Sequence, residues 1–215
     1  MGNSEDKGTI IFSYLEHRKT IGLIGMSLPF ILAIGAWLFF NMGLQSSVSH
    51  YYYTPMRGVF VGLMFVIGFF LLAYRGYDRR DDITGDIAFL GAVVLALFPT
   101  TESQLCGASA TVAGTIHYAG AIVFFLSLIY FSLFLFTKSS PGSTPTPQKL
   151  KRNLIFRLCA YIMIAAIILL AAYTLGPDSL CQSLSGYRPV FWLEAIAILA
   201  FGMSWFVKGE AILKD

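Results

Sequence analysis

Residues 116–136, IHYAGAIVFFLSLIYFSLFLF, form the most apolar part of the sequence and contain no lysine, arginine, aspartate or glutamate. An α-helix needs about 20 mostly apolar residues to cross a hydrocarbon core of about 30 Å. This stretch therefore predicts a membrane-spanning helix. The whole chain has the same character, because 56% of its 215 residues are hydrophobic and only 13% are charged, against about 25% charged residues in soluble proteins.

Five further runs have the length and composition of spans. They are residues 21–40, 55–74, 87–98 (which reach span length only as 84–101), 154–173 and 190–207. The sequence thus predicts an all-α, polytopic membrane bundle of six transmembrane helices. Its composition excludes a disordered chain and a small disulfide-stapled secreted domain. A net charge of +3 gives no support to nucleic-acid binding.

Basic residues concentrate in alternate loops. On one side of the predicted bundle lie Lys7, Arg18, Lys19, Arg75, Arg79, Arg80, Lys138, Lys149, Lys151, Arg152, Lys208 and Lys214. The opposite loops contain only Arg57 and Arg188. Because lysine and arginine accumulate on the cytoplasmic side, we expect a multi-pass inner (plasma) membrane protein with both termini in the cytoplasm. Residues 1–20 are then a cytoplasmic segment, 21–208 a single transmembrane domain with a cytoplasmic linker at 137–153, and 209–215 a cytoplasmic tail.

Two of the three cysteines fall in loops on the outer side of this topology. Cys106 lies in the second outer loop and Cys181 in the third, whereas Cys159 lies within the fifth predicted span. Disulfides persist in oxidising surroundings, so the sequence predicts a disulfide between Cys106 and Cys181. Two unrelated free thiols are the alternative.

Polar and ionisable residues gather at the outer ends of the predicted spans. The candidates for a site are Ser49, His50, Tyr51, Arg57, His117, Arg188 and Glu194. Glu194 lies about one turn inside the last span, where an ionised group costs about 2.5–3.5 kcal/mol and needs a cavity or a partner. A salt bridge to Arg57 or Arg188 is the structural alternative for Glu194.

These residue types are compatible with three kinds of site. His50, His117 and Glu194 have the right number of donors for a catalytic zinc ion with an open position. A metal-free hydrolase would use His117 as general base, Ser49 or water as nucleophile and Glu194 to orient the ring. A binding site without chemistry would hold a polar headgroup through side chains at the outer face, namely Tyr51, Arg57, His50 and Arg188.

Several motifs resemble a known family over most of the chain. They are SVSHYYYTPMR at 47–57, FVG at 60–62, YRGYD at 74–78, ALFPT at 96–100, HY at 117–118 and FGMSWFVKG at 201–209. The sequence is similar to small bacterial inner-membrane proteins of the domain-of-unknown-function 998 family, and more distantly to the superfamily of alkaline ceramidases and progestin/adiponectin receptors. The distant resemblance implies a zinc-dependent lipid amidase, with Ser47 or Ser49 and His117 at family positions. The family's H-x-x-x-H pair has no counterpart in this sequence.

The function that we expect is the binding of a lipid or small amphiphile in an outward-facing polar pocket, with hydrolysis of a lipid amide or ester as the expected reaction if the protein is an enzyme. A small oligomeric transporter that uses Glu194 as its ion- or proton-coupling group is the main alternative. A membrane assembly protein is the third. The expected partners are membrane lipids, a lipid-like or small amphiphilic ligand and further copies in a homo-oligomer, with no nucleic acid.

Overall fold

The computed structural model describes residues 4–102, 111–139 and 144–214, with side chains from Tyr14 onward. All regular elements in these residues are helical. The α-helices are α1 (Ser4–Phe40), α2 (Arg57–Ala73), α3 (Arg79–Leu97), α4 (Val112–Tyr130), α5 (Pro147–Thr174), α6 (Asp178–Leu184) and α7 (Pro189–Lys208). Two 3₁₀ helices cover Ser49–Tyr53 and Ser185–Tyr187, and a π-helical turn over Phe131–Leu135 extends α4. The predicted all-α class is confirmed.

Four of these helices are long and apolar enough to cross a membrane. They comprise Tyr14–Phe40 of α1, Val112–Leu135, Pro147–Thr174 and Pro189–Lys208. Helix α2 is apolar but shorter, and α3 has its charged residues in its first half, between Arg79 and Asp86. The count of six spans therefore stays a prediction for α2 and α3.

The six long helices form a closed ring. Helix α1 packs on α7, α7 on α5, α5 on α4, α4 on α3, α3 on α2 and α2 on α1. Two of these contacts, α1 with α2 and α4 with α5, are much less extensive than the rest. The ring thus consists of two tightly packed groups, α1–α7–α5 and α2–α3–α4, that meet along two looser seams.

Two helix starts differ from the predicted segment boundaries. Helix α1 begins at Ser4, so most of the predicted segment 1–20 continues the first span as helix. Helix α5 begins inside the predicted linker 137–153, because Pro147 occupies its first turn and the Thr146 hydroxyl accepts a hydrogen bond from the Lys149 backbone N–H at 3.0 Å. Proline suits the first turn of a helix because its missing N–H has no acceptor there.

The predicted cysteine pair is only partly within the described chain. Cys106 lies outside the described residues. Cys181 lies in α6, where the Tyr173 hydroxyl donates to its carbonyl oxygen at 3.3 Å. Cys159 is a buried free thiol in α5, where cysteine packs as a small apolar residue.

Candidate functional site

Glu194 holds the first outer loop onto α7. Its Oε2 atom accepts hydrogen bonds from the backbone N–H groups of Val48 at 2.6 Å and Ser49 at 3.4 Å. These groups open the 3₁₀ helix Ser49–Tyr53 and have no acceptor within it. The Phe191 N–H strengthens the same junction by donating to the Ser46 carbonyl at 2.9 Å. The carboxylate therefore caps a helix from another part of the chain.

This arrangement replaces the salt bridge that the sequence suggested for Glu194. No ion pair joins Glu194 to Arg57 or Arg188 in the described residues. Backbone N–H groups at a helix start carry partial positive charge and stabilise a carboxylate as an arginine would. Glu194 is therefore satisfied without a cation.

A cavity of about 50 Å³ lies beside Glu194 and Ser49. Apolar side chains form the rest of its wall, among them Leu28, Phe60 and Phe201. This space is large enough for water and too small for a lipid headgroup. Glu194 thus faces an apolar interior, and the described residues around it enclose this small cavity instead of the expected polar pocket.

Backbone carbonyl groups at the end of α3 accept hydrogen bonds from His117 and Tyr52. Pro99 forces an extended conformation on Phe98, so the helix ends at Leu97 with open carbonyls. His117 Nδ1 donates to the Phe98 carbonyl at 2.8 Å, and the Tyr52 hydroxyl donates to the Leu97 carbonyl at 3.5 Å. His117 thus caps the end of α3.

His50 and Tyr53 donate to backbone carbonyl groups in the segment that follows α3. His50 Nε2 donates to the Glu102 carbonyl at 3.1 Å, and the Tyr53 hydroxyl donates to the Thr100 carbonyl at 2.5 Å. Burial lowers the pKa of His50 below its usual value, against smaller opposing effects of Glu102. The ring is therefore mostly neutral at neutral pH, with its proton on the Nε2 atom that donates to the carbonyl.

Arg57 is the exposed basic group of this cluster. Its guanidinium stacks on the Tyr52 ring with 4.1 Å between the guanidinium carbon and the ring centroid, and Nη2 donates to the Tyr52 hydroxyl at 2.5 Å. Tyr53 and Tyr118 present partly exposed rings nearby, at 39% and 47% exposure. Arg188 is also exposed, in a left-handed conformation with φ of 55° at the start of α7.

An apolar groove runs along the loose seam between α1 and α2. It has a volume of about 630 Å³ and is lined by Ser27, Phe30, Ile31, Ile34, Gly35, Leu38, Phe39, Phe40, Pro55, Met56 and Val59. Arg57 lies in the chain directly after Met56 and two residues before Val59. The groove is in the size range of small-ligand sites. The sequence did not predict it, because it results from how α1 and α2 pack.

The structure separates the residues proposed to act together. His50, His117 and Glu194 do not form a metal site, since the described chain contains no group of three or more histidine, cysteine or acidic side chains placed to hold a metal ion. Each of the three is committed to a different backbone group. The described geometry therefore does not bring the three together as zinc ligands, and Glu194 and His117 bind different backbone groups instead of each other.

Tyr51 is also structural. It is fully buried and packs against Phe191, with 6.4 Å between ring centroids. The site prediction missed Tyr52, Tyr53, Thr100 and Tyr118, which form the hydrogen-bonded surface around Arg57. The signal that would have found them is Pro99, because a helix that ends before proline leaves carbonyl groups for neighbouring donors.

Among the described residues, the groove and the Arg57 surface offer open positions for a ligand. They combine an apolar surface with one exposed guanidinium and several hydroxyl groups. Comparison of this chain with protein-family models, with curated proteins and with solved structures found no match.

Proposed function

We propose that this protein spans the inner membrane six times, with both termini in the cytoplasm, and binds a lipid or small amphiphile at its outer face. The six spans are supported by the ring, in which α2 and α3 pack between the candidate spans α1 and α4. The orientation is supported by the alternation of basic loops.

The groove between α1 and α2 is the observation that carries the binding proposal. Its lining is almost entirely apolar, with Ser27 as the only hydroxyl. It is open at the surface of two helices that face lipid in the proposed topology, so an acyl chain reaches it from the bilayer without crossing water. A groove along one helix seam fits a single acyl chain better than it fits a lipid with a bulky ring system.

Arg57 supplies the contact for the polar end of the ligand. Guanidinium groups bind phosphate and carboxylate through paired hydrogen bonds, and stacking on Tyr52 limits the orientations of this one. The rings of Tyr53 and Tyr118 suit the headgroup level, where amphipathic aromatic side chains accumulate. The ligand is therefore an amphiphile with an anionic or zwitterionic head.

The two other functions find less support. Hydrolysis lacks an assembled catalytic group, because His117, His50 and Glu194 are held apart on separate backbone partners. Transport through Glu194 finds no polar route among the described residues, because apart from Glu194 and Ser49 the cavity there is lined by apolar side chains such as Met64 and Ile67. Binding is the function that the described geometry supports best.

Lipid mass spectrometry of the purified full chain tests the proposal. Val59→Trp places a large ring in the groove, whereas Val66→Trp changes an equally exposed valine of α2 outside it; both valines are 39% exposed. We expect one lipid class to co-purify with the wild type and with Val66→Trp, and to be depleted severalfold in Val59→Trp. Equal lipid retention in the two variants would show that the groove is not the binding site.

The contribution of Arg57 is tested in the same assay. Arg57→Gln removes a charge-assisted hydrogen bond of about 1.5–3 kcal/mol, so we expect binding about tenfold or more weaker. Arg157→Gln makes the same change of charge at an exposed position of α5 and should bind like the wild type. A ligand that stays bound to Arg57→Gln would place the headgroup elsewhere.

A further inference from the structure

The opposite end of the bundle gathers an excess of basic side chains. Five of them come together from α1, the end of α4, the start of α5 and the end of α7: Arg18, Lys138, Lys149, Arg152 and Lys208. Three carboxylates face this group: Asp78, Asp81 and Glu210. Among the side chains that the structure describes, basic groups thus outnumber acidic ones in this cluster.

The carboxylates are already paired with two of these cations. Lys138 Nζ lies 3.0 Å from Asp78 Oδ2 and 2.9 Å from Asp81 Oδ2. Arg152 Nη1 lies 2.9 Å from Glu210 Oε1. Arg18 and Lys208 take no part in the ion pairs between described side chains.

Lys208 is the most exceptional member of the cluster. It is only 7% exposed and has no hydrogen bond or ion pair with the side chains that the structure describes. Its ammonium group lies 5.2 Å from the Tyr77 ring centroid and 5.1 Å from that of Phe136. Aromatic faces attract a cation, but they do not neutralise its charge.

Further cations surround Lys208. Among the described residues, Arg18, Lys149 and Arg152 act on it electrostatically, against one carboxylate, Asp81, whose Oδ2 atom binds Lys138. The guanidinium of Arg18 lies 4.0 Å from the Tyr14 ring centroid, and its Nε atom is buried without a hydrogen-bond partner. Aromatic rings thus hold Lys208 and Arg18 in place, and N–H donors of both side chains make no hydrogen bond with described residues.

Burying like charges together is unfavourable unless an anion compensates them. We infer that this cluster, formed by Arg18 of α1, the start of α5 and the end of α7, binds a phosphate-bearing anion through Lys208 and Arg18. In the proposed topology the cluster lies at the level of the cytoplasmic headgroups, where basic pockets between helices bind anionic lipids. A phosphodiester headgroup and a free phosphate present the same anionic oxygens, so the two sources are separated by experiment.

The test uses the full chain, stripped of lipid in a neutral detergent. Dioleoylphosphatidylglycerol, dioleoylphosphatidylcholine and inorganic phosphate are titrated separately, and the melting temperature and the bound mass are followed by thermal unfolding and native mass spectrometry. Stabilisation by phosphatidylglycerol above that by phosphatidylcholine identifies a lipid site. Stabilisation by inorganic phosphate alone identifies a soluble ligand. No stabilisation by either phosphatidylglycerol or phosphate overturns the proposal.

Two lysine variants locate the site. Lys208→Gln should weaken binding of the active probe about tenfold or more, whereas Lys151→Gln, an equal charge change at an exposed position of α5, should leave binding unchanged. If Lys208→Gln does not fold, Arg18→Gln replaces it with the same expected loss. Equal binding by the control and by the folded cluster variant overturns the proposal.

Discussion

At the scale of single residues, Glu194 shows how a carboxylate is accommodated inside an apolar helix without a basic partner. It accepts hydrogen bonds from the backbone N–H groups of Val48 and Ser49, about 145 residues earlier in the chain. The 3₁₀ helix that they open carries His50, Tyr52 and Tyr53 to the end of α3. Glu194 therefore fixes the outer polar surface indirectly, through the position of one loop.

Replacement of Glu194 should loosen this loop. Glu194→Ala leaves the two N–H groups of Val48 and Ser49 without an acceptor, so we expect a loss of about 1–3 kcal/mol in the free energy of unfolding. Glu194→Gln keeps an acceptor oxygen and should lose less. Thermal unfolding in detergent gives the stability, and hydrogen exchange over residues 46–54 gives the local effect.

Asp178→Ala serves as the control for Glu194→Ala, because Asp178 is an exposed acid at the start of α6. We expect it to change stability little. If the two alanine variants are equally stable, Glu194 is not the cap that the structure describes.

The sequence predicted the importance of Glu194 but not its partner. An acidic residue one turn inside an apolar run is visible in any hydropathy pattern. The backbone of residues 48 and 49 becomes a partner only because the outer loop folds into a 3₁₀ helix against α7. A loop conformation of this kind produces no periodic pattern in the sequence. The sequence therefore suggested Arg57 or Arg188 as the partner of Glu194.

At the scale of helices, close packing of α1 on α7 depends on facing glycines. A Cβ atom on Gly22 would lie 2.6 Å from the Gly202 carbonyl oxygen, and one on Gly202 would lie 2.7 Å from the Gly22 carbonyl oxygen. Because these contacts are with backbone, no side-chain movement relieves them. Small residues serve the same purpose at many membrane helix interfaces, where they bring backbones together.

Alanine at either glycine should therefore separate α1 from α7. For Gly22→Ala we expect a loss of about 1–3 kcal/mol, as for other overpacked sites. Gly62→Ala is the matched control within a helix, since a Cβ atom there meets nothing within 4 Å; it should be neutral or stabilising by up to about 1 kcal/mol. Thermal unfolding of both variants in one detergent compares them. Equal melting temperatures would contradict the close approach.

The apolar runs predicted where the long helices lie, but several ends were missed for identifiable reasons. The Thr146–Pro147 pair is a helix start that the linker prediction passed over. The short helix α6, which follows Pro177, has no buried residue and so leaves no apolar pattern. Which helices become neighbours in the ring depends on glycine contacts such as Gly22 with Gly202, which composition does not reveal.

At the scale of the whole molecule, the decisive question is whether α2 and α3 cross the membrane. Both topologies place the N-terminus and the C-terminus on the same side, since four spans and six spans are even numbers. They differ in the turn between α2 and α3, where Arg79 is exposed. Six spans place this turn in the cytoplasm, and four spans leave it outside.

Labelling of single cysteines in a chain without native cysteines separates these topologies. In spheroplasts we expect a membrane-impermeant maleimide to react with Glu102→Cys, and with Arg79→Cys and Pro145→Cys only after permeabilisation. All three positions are exposed. Reaction of Arg79→Cys from outside would show that the chain has four spans. Reaction of Pro145→Cys from outside would show that the orientation is opposite to the proposed one.

Helix length differs greatly around the ring. The 17 residues of α2 give about 26 Å at a rise of about 1.5 Å per residue, and the 28 residues of α5 give about 42 Å. In the six-span topology, a hydrocarbon core of about 30 Å is thicker than the length of α2, whereas the polar first turns of α5 extend beyond the core. The mismatch at α2 favours a bilayer that thins beside this helix. Shorter acyl chains should therefore collect at the seam where the groove opens.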